Sequence, residues 1–473
     1  MSENDNPESG ERNFAERMKR RTLLGTSGAV AAGLAGCLDR LNGGSTETKT
    51  LHMLSDVQVQ EAHDLFDEAF ESWKEGVDVD VESQFEYVPS NDIRDTVNTR
   101  LSSGDAPDLI FTSVSYHAQF GLRGMLRDLT DVIPSNVPDS VRYELDGNNI
   151  YVPVNLQMCA TWHRQDVYEE AGIEWASTWD EHLHNLEVLD DHLPDDQFAD
   201  LYVANSAHPY MIYGHYHPML SNGAQFLDRD ITDEPPYVIV DEEPYRSRTI
   251  EYLEFLQEAY QYSPESTNYG YGEATNTYTG KQVMSTRYPA RLINNVHRNA
   301  PDLVEHTEMG YFPDTPAMQS GDADYKITGV GEGFSVPTTE VGSENPDLAE
   351  QFIDHFMTSD AYIDLMLTVP LHRVPANLDL LDTDRYQENS IVQSAPEYVD
   401  YIKDMSDNAV FYTQLTGSDT PTTYWDPLIR GTEIGPTMLA EPMVGRTDPE
   451  EAVDNAAAAL REEIPKFEER FSQ

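Results

Sequence analysis

The sequence predicts an α/β protein of two or three domain-sized units, and three observations carry that expectation. From residue 51 onward, short β-type runs alternate with helix-period stripes. The chain has 473 residues, with 39% hydrophobic and 10% aromatic side chains, enough for more than one core. No internal repeat of solenoid or propeller length is visible.

Leu51-His52-Met53-Leu54 reads as a short strand. Ala62, Leu65, Phe66, Ala69, Phe70 and Trp73 then form an apolar stripe at helical spacing. Val77-Asp78-Val79-Asp80-Val81 alternates as a strand, and Ile93, Val97 and Leu101 mark a helix ended by Gly104. Pro107-Asp108-Leu109-Ile110-Phe111 is a buried-strand candidate. This order implies parallel pairing with right-handed crossovers, and in such sheets ligands bind beyond the carboxyl ends of the strands. Those ends carry Ser55 and Asp56 after the first strand, and Ser115 and Tyr116 after the third. Capping of the following helix is an equal reading for Ser55, Asp56 and Ser115. Further on, residues 152–157 and 160–163 read as two strands, and residues 166–171 as a helix stopped by Gly172. Thr178 with Glu181 makes a capping box before another helix. Helices are also expected at 246–260, 346–358 and 449–461.

Lys and Arg number 30 against 85 Asp and Glu, a formal charge of −55. Such a chain would approach a phosphate backbone against strong repulsion, which excludes a nucleic-acid partner. In dilute buffer the same charge strains a compact fold. At about 1 M salt the Debye length is only about 3 Å and the strain is screened, so the acidity reads as adaptation to a high-salt milieu. Two cysteines, Cys37 and Cys159, support neither a disulfide scaffold nor a zinc site.

Lys19-Arg20-Arg21-Thr22-Leu23-Leu24 precedes a Gly/Ala-rich apolar stretch ending Leu34-Ala35-Gly36-Cys37, too short to span a bilayer. The segment resembles a twin-arginine signal, carried by Arg20 and Arg21, with a lipobox. That implies a signal peptide over 1–36, a lipid anchor on Cys37 and a flexible tether over 37–50. Lys19 and Leu23 depart from the residues usual there. The expected location is the outer face of the cell membrane.

Several segments together resemble the extracellular solute-binding proteins of ABC importers, in the family that includes maltose-binding proteins. They are Pro107-Asp108-Leu109-Ile110-Phe111 with Gly124-Met125-Leu126-Arg127-Asp128-Leu129; Trp162 through Ile173 with Thr178-Trp179-Asp180-Glu181; Gly280-Lys281-Gln282-Val283-Met284; and Asn345 through Ile353. Trp162-His163 and Tyr288-Pro289 depart from the usual pattern. The resemblance implies a periplasmic-binding-protein-like (type II) fold, two α/β lobes joined by a hinge with a ligand cleft between them. It also implies permease subunits as partners and no cofactor. Crossings are expected near 152–157, 309–312 and 373–377, giving lobe 1 as 51–153 plus 313–374 and lobe 2 as 154–312 plus 375–473.

A carbohydrate needs aromatic platforms for its C–H faces and paired donors and acceptors for its hydroxyls, all in a concave cleft. By likeness to the family's cleft segments, the platforms are Tyr116, Tyr213, Tyr216, Tyr288 and Trp425. The polar candidates are Asp56, Ser115, Asn155, Gln157, Glu332 and Arg373. Core packing is the competing role for Tyr213 and Tyr216, while Trp179 reads as helix-start packing.

His208, His215 and His217 lack metal-ligand spacing, and Pro209 and Pro218 are expected to break regular structure there. No nucleophile elbow, phosphate loop or dinucleotide fingerprint occurs. A surface glycoside hydrolase or lyase is the alternative of a different class, since its carboxylate pair is defined by separation in space rather than by sequence. A structural surface protein ranks third.

Overall fold

The computed structural model describes residues 48–89, 92–114, 117, 120–121, 123–142, 144–145, 147–227, 237–406, 409–411 and 432–471. The signal and anchor expectations, with Arg20, Arg21 and Cys37, and residues 37–47 of the expected tether lie outside these residues, as do Ser115, Tyr116 and Trp425. The end of the tether expected at 50 is corrected, because Lys49 and Thr50 already belong to the first strand.

Strand β1 (Lys49–Ser55) leads into α1 (Gln60–Lys74), which buries Ala62, Phe66, Ala69, Phe70 and Trp73, the face set by their spacing. Strand β2 (Val81–Tyr87) runs parallel to β1, pairing Lys49 with Val81 through Ser55 with Tyr87. The strand expected at 77–81 is therefore corrected. Val77 and Val79 pack against the core from a loop, and their alternation came from that contact rather than from a ladder. Helix α2 (Ile93–Ser103) ends at Gly104, whose φ of 73 suits a residue without Cβ. Strand β3 (Leu109–Ser113) pairs parallel with β1. A small hairpin, β4 (Glu144–Leu145) and β5 (Asn148–Asn149), precedes β6 (Val152–Pro153).

The strands expected at 152–157 and 160–163 are redrawn: residues 152–153 form β6, and residues 155–164 form one strand, β7 (Asn155–Arg164). No glycine or proline interrupts them, and Met158 and Cys159, between the two expected runs, are buried apolar residues. Helices α3 (Gln165–Ala171) and α4 (Trp179–His192) follow, the latter capped by Thr178, which accepts from Glu181 N at 3.3 Å. Helix α5 (Tyr210–Ser221) spans the stretch where the prolines were expected to break structure. Pro209 sits at its N-cap, where a missing N–H costs nothing, and Pro218 lies in the last turn. Helices α6 (Tyr245–Ala259) and α7 (Tyr271–Thr279) lead to β8 (Ser285–Pro289), α8 (Arg291–Asn299), β9 (Thr307–Gly310) and β10 (Ile327–Val330). Then come β11 (Glu332–Ser335), α9 (Pro346–Thr358), α10 (Asp360–Leu367), β12 (Val374–Pro375), α11 (Pro396–Met405), β13 (Ala409–Phe411), α12 (Ile434–Met443) and α13 (Pro449–Phe471).

The strands form two main sheets. The first has the order β2-β1-β3-β11-β6, with β11 antiparallel to β3 and β6. The second is built on β7, which pairs with β8, β9, β10 and β12, while β13 joins β10. Helix α9 returns to the first sheet: Phe356 stacks on Phe66 at 5.3 Å, and Phe352 meets Phe70 and Trp73. Each such ring contributes about 1.5–3 kcal/mol by burial. Helices α12 and α13 share a second core with α6.

The chain crosses between the sheets at Val154, at Gly331, and between α10 and β12. The crossing expected at 309–312 is corrected, because β9 pairs with β7 and Thr315 donates to Ser221 O at 3.0 Å, so residues 313–330 stay with the second sheet. A Cβ at Gly331 would sit 2.4 Å from Asn155 O, so only glycine lets the two crossing strands run this close. Val154 N donates to Glu332 O and Ala376 N to Val154 O, each at 3.0 Å, and these bonds tie the three crossings together. Among the described residues no helix is long and apolar enough to cross a membrane.

Candidate ligand-binding site

A cavity of about 390 Å³ opens beside the crossings. Its walls are Gln157 of β7, Tyr213 of α5, Tyr271, Gly272, Thr275 and Asn276 of α7, Tyr288 and Pro289 of β8, Arg291 and Asn295 of α8, and His372 just before β12. Helices α7 and α8 flank β8, so one short stretch of chain supplies most of the lining.

Three tyrosines build the aromatic wall. Tyr213 meets Tyr271 edge to face at 5.9 Å, and Tyr271 meets Tyr288 at 5.8 Å. The Tyr288 hydroxyl donates to Tyr271 O at 3.0 Å and accepts from Thr275 at 3.1 Å, which fixes the edge of the wall. Burial raises the Tyr288 phenol pKa, so the group stays a neutral donor. Tyr213 and Tyr271 are half-buried, whereas Tyr288 is only 2% exposed and acts mainly as their support.

Polar candidates gather at the crossings. Asn155 donates to Glu332 Oε2 at 2.9 Å, Arg373 Nε donates to the same oxygen at 3.0 Å, and Gln157 Nε2 reaches Asn155 Oδ1 at 3.4 Å. Arg373 also donates to Thr368 at 2.9 Å. Sequence reading thus singled out four residues that form one chain of contacts from the cavity wall across the hinge. Leu371, with φ 64, turns the backbone ahead of His372 and Arg373. A non-glycine residue in that region stores about 1–3 kcal/mol, and such strain persists where the surroundings over-determine the position.

Asp56 lies half-buried just beyond the carboxyl end of β1, and Glu332 opposes Ser113, the last residue of β3. Burial pushes the Tyr151 phenol well above its ordinary pKa, and the charges of Glu332 and Asp56 add to the shift. Both carboxylates therefore stand around one phenol at the same edge of the first sheet, the edge predicted from strand polarity.

Tyr216 is corrected. It is fully buried in the core of the second sheet's helices, its ring 5.7 Å from Phe226, and it does not line the cavity. Trp179 packs at the start of α4 against Phe255, as expected for a helix-start residue. His215 and His217 bond to the carbonyls of Val203 and Tyr213. Burial lowers both to a pKa of about 3, so both are neutral, and no metal-holding cluster occurs among the described residues.

Sequence reasoning missed Tyr271, Asn276, Arg291, Asn295 and His372. One signal was available in Tyr269-Gly270-Tyr271-Gly272, where Gly270 N donates to Glu273 at 2.9 Å and starts α7. Amide and aromatic side chains around a concave site suit holding a polar solute.

Fold and site together define a two-lobed α/β binding protein with its cleft at the hinge. Residues 58–363 match the family described as bacterial extracellular solute-binding protein, and the chain belongs to that family, whose members bind solutes without catalysis. Similar solved structures include the GacH receptor of Streptomyces glaucescens, solved unliganded and with acarbose (TM-score 0.67, 15% identity, covering 88% of this chain and 98% of that one). The sugar-binding protein MalE of Xanthomonas citri gives TM-score 0.68 at 14% identity, covering 90% and 100%. The cyclic alpha-maltosyl-1,6-maltose binding protein of Arthrobacter globiformis gives 0.67 at 17% identity, covering 89% and 99%. At such identities the likeness establishes the periplasmic-binding-protein fold. No curated protein matches the chain.

Proposed function

We propose that this protein captures a sugar or oligosaccharide by closure of its two lobes and delivers it to the permease subunits of an ABC importer. The observation that carries this reading is the cavity at the hinge, where tyrosine faces stand beside Gln157, Asn276 and Asn295. Rings suit the C–H faces of a pyranose, and amides both donate to and accept from its hydroxyls. The saccharide ligands named for the GacH and Arthrobacter proteins support the same class.

The first lobe would comprise the first sheet with α9 and α10, and the second lobe the remainder from β7 onward. Asn155, Gln157, Glu332 and Arg373 would couple the ligand to closure, because they link the cavity wall to the crossings. Asp56 would face the ligand from the first lobe, with Ser115, Tyr116 and Trp425 completing the site. The twin-arginine signal around Arg20 and Arg21 would export the chain, and a lipid on Cys37 would hold it at the outer face of the membrane in a salt-rich milieu.

The test is a thermal-shift screen of saccharides in molar KCl. A ligand at 100 times its Kd should add about 2.7 kcal/mol of stability and be recovered unchanged. Consumption of the saccharide, or no shift with any sugar, would overturn the reading.

A further inference from the structure

The cavity has a charge that no described residue neutralises. Arg291 is exposed on the wall and makes no hydrogen bond or ion pair with any described residue. In a chain carrying 85 acidic side chains, none of the described lining residues is Asp or Glu. Glu332 is the carboxylate felt by Arg291, yet it is already bonded to Arg373 and Asn155. Among the described residues, two guanidiniums thus face one carboxylate, which leaves one positive charge beside the cavity.

Two further observations point the same way. Arg291 is the first residue of α8, and the first turn of that helix holds no acidic residue, so the positive end of the helix dipole adds to the guanidinium instead of being offset. His372, 9% exposed, lines the same cavity with its Nδ1 unpartnered. A bound oxyanion would pair with the free guanidinium fork in the bidentate geometry that arginine favours.

We propose that the solute is an anionic saccharide, a sugar bearing a carboxylate, sulfate or phosphate, whose oxyanion seats on Arg291 while its rings lie against Tyr213 and Tyr271. This proposal rests on the carbohydrate reading above and narrows it. The surrounding protein and then the charge of Arg373 lower the pKa of Arg291, and an anion would relieve both penalties. The protein's own charge of −55 does not forbid such a ligand, because molar salt screens surface charge within about 3 Å while a pair enclosed in the cavity is screened less.

The experiment measures Kd by calorimetry on the full chain in molar KCl. The probes are galacturonate and trigalacturonate with their methyl esters, glucose 6-phosphate, glucose 6-sulfate, neutral glucose and maltotriose, and inorganic phosphate and sulfate alone. One acidic saccharide should bind about 10- to 100-fold more tightly than its uncharged counterpart, and the tightest arm identifies the oxyanion. Arg291→Gln should raise the Kd of that saccharide by the same factor, with Arg291→Lys intermediate; far-UV circular dichroism and the ligand-free Tm check that each variant is folded. Neutral sugars binding as tightly as acidic ones would overturn the proposal and leave carbohydrate capture standing. An unchanged Kd in a folded Arg291→Gln variant, or free phosphate or sulfate binding as tightly as any saccharide, would also overturn it. Binding of no saccharide of either kind would overturn both readings.

Discussion

Tyr271 and Asp200 mark two ways in which a single side chain matters here. Tyr271 joins Tyr213 and Tyr288 in one edge-to-face array along the cavity. Its truncation to Ala should cost about 1–2 kcal/mol of binding, a roughly 5- to 30-fold rise in Kd by calorimetry, with the ligand-free Tm changed little. Asp200 is structural: it is fully buried, 3.0 Å from Arg287, and within 3.4 Å of His182. Burial alone would raise its pKa, but the Arg287 guanidinium and the His182 bond hold it well below the carboxylate range. Arg287 in turn lies 3.7 Å over the Tyr202 ring. Asp200→Asn should destabilise the protein by about 3–5 kcal/mol in salt-matched denaturant melts, because it leaves Arg287 buried without its counter-charge. Nothing in the sequence marked Asp200 and Arg287 as a pair, since 87 residues separate them and only the fold brings them together. Asn155, Gln157, Glu332 and Arg373 were singled out by likeness to the family's cleft segments, and the fold brings them into one chain of hydrogen bonds, with Gln157 on the cavity wall. Tyr216 misled because a helix carrying tyrosines three residues apart does not declare which one turns inward.

At the scale of elements, the crossing strands decide how the two sheets can move. Gly331 lies against Asn155 O so closely that Gly331→Ala must push β10 and β11 away from β7. The expected outcome is a protein that remains folded but closes poorly, read as loss of the ligand-induced decrease in radius of gyration by small-angle scattering. An unchanged decrease would show that the crossing has slack. Elements with strong periodicity, such as α1 and α9, were legible because one buried stripe determined each. Strand β2 was displaced because valines alternating in a loop imitate a pleat. The Gly331 crossing was missed because β10 and β11 are adjacent four-residue strands in different sheets, and no local pattern shows a chain changing sheets between them.

For the whole molecule, pH separates two effects of opposite sign. Burial lowers the pKa of His117, His215 and His217 to about 3, and of His163 to about 4. Each is neutral when folded but takes a proton below about 6.5 when unfolded, so the unfolded state binds more protons between these limits. Stability should therefore fall as pH drops below about 6.5, by up to ~1.4 kcal/mol per pH unit for each histidine, levelling off below its folded pKa. Protonating surface carboxylates would instead relieve self-repulsion. Melts in molar KCl, where repulsion is screened, should expose the histidine slope, and a flat profile from pH 6.5 to 4.5 there would contradict it.

Cys159 is 0% exposed, and the Tyr401 hydroxyl donates to its carbonyl beneath the packed rings of Tyr398 and Tyr401. Burial pushes its thiol up to a pKa of about 12, so it is neither accessible nor ionised at neutral pH. The sequence holds one other sulfhydryl, Cys37. A maleimide dye applied to the native protein thus reports on that residue alone. Protein recovered from cell envelopes should stay colourless if an acyl chain occupies the sulfur and should take up one dye per molecule only after unfolding. Protein made by cell-free translation, which supplies no acyl donor, should instead take up one dye without unfolding.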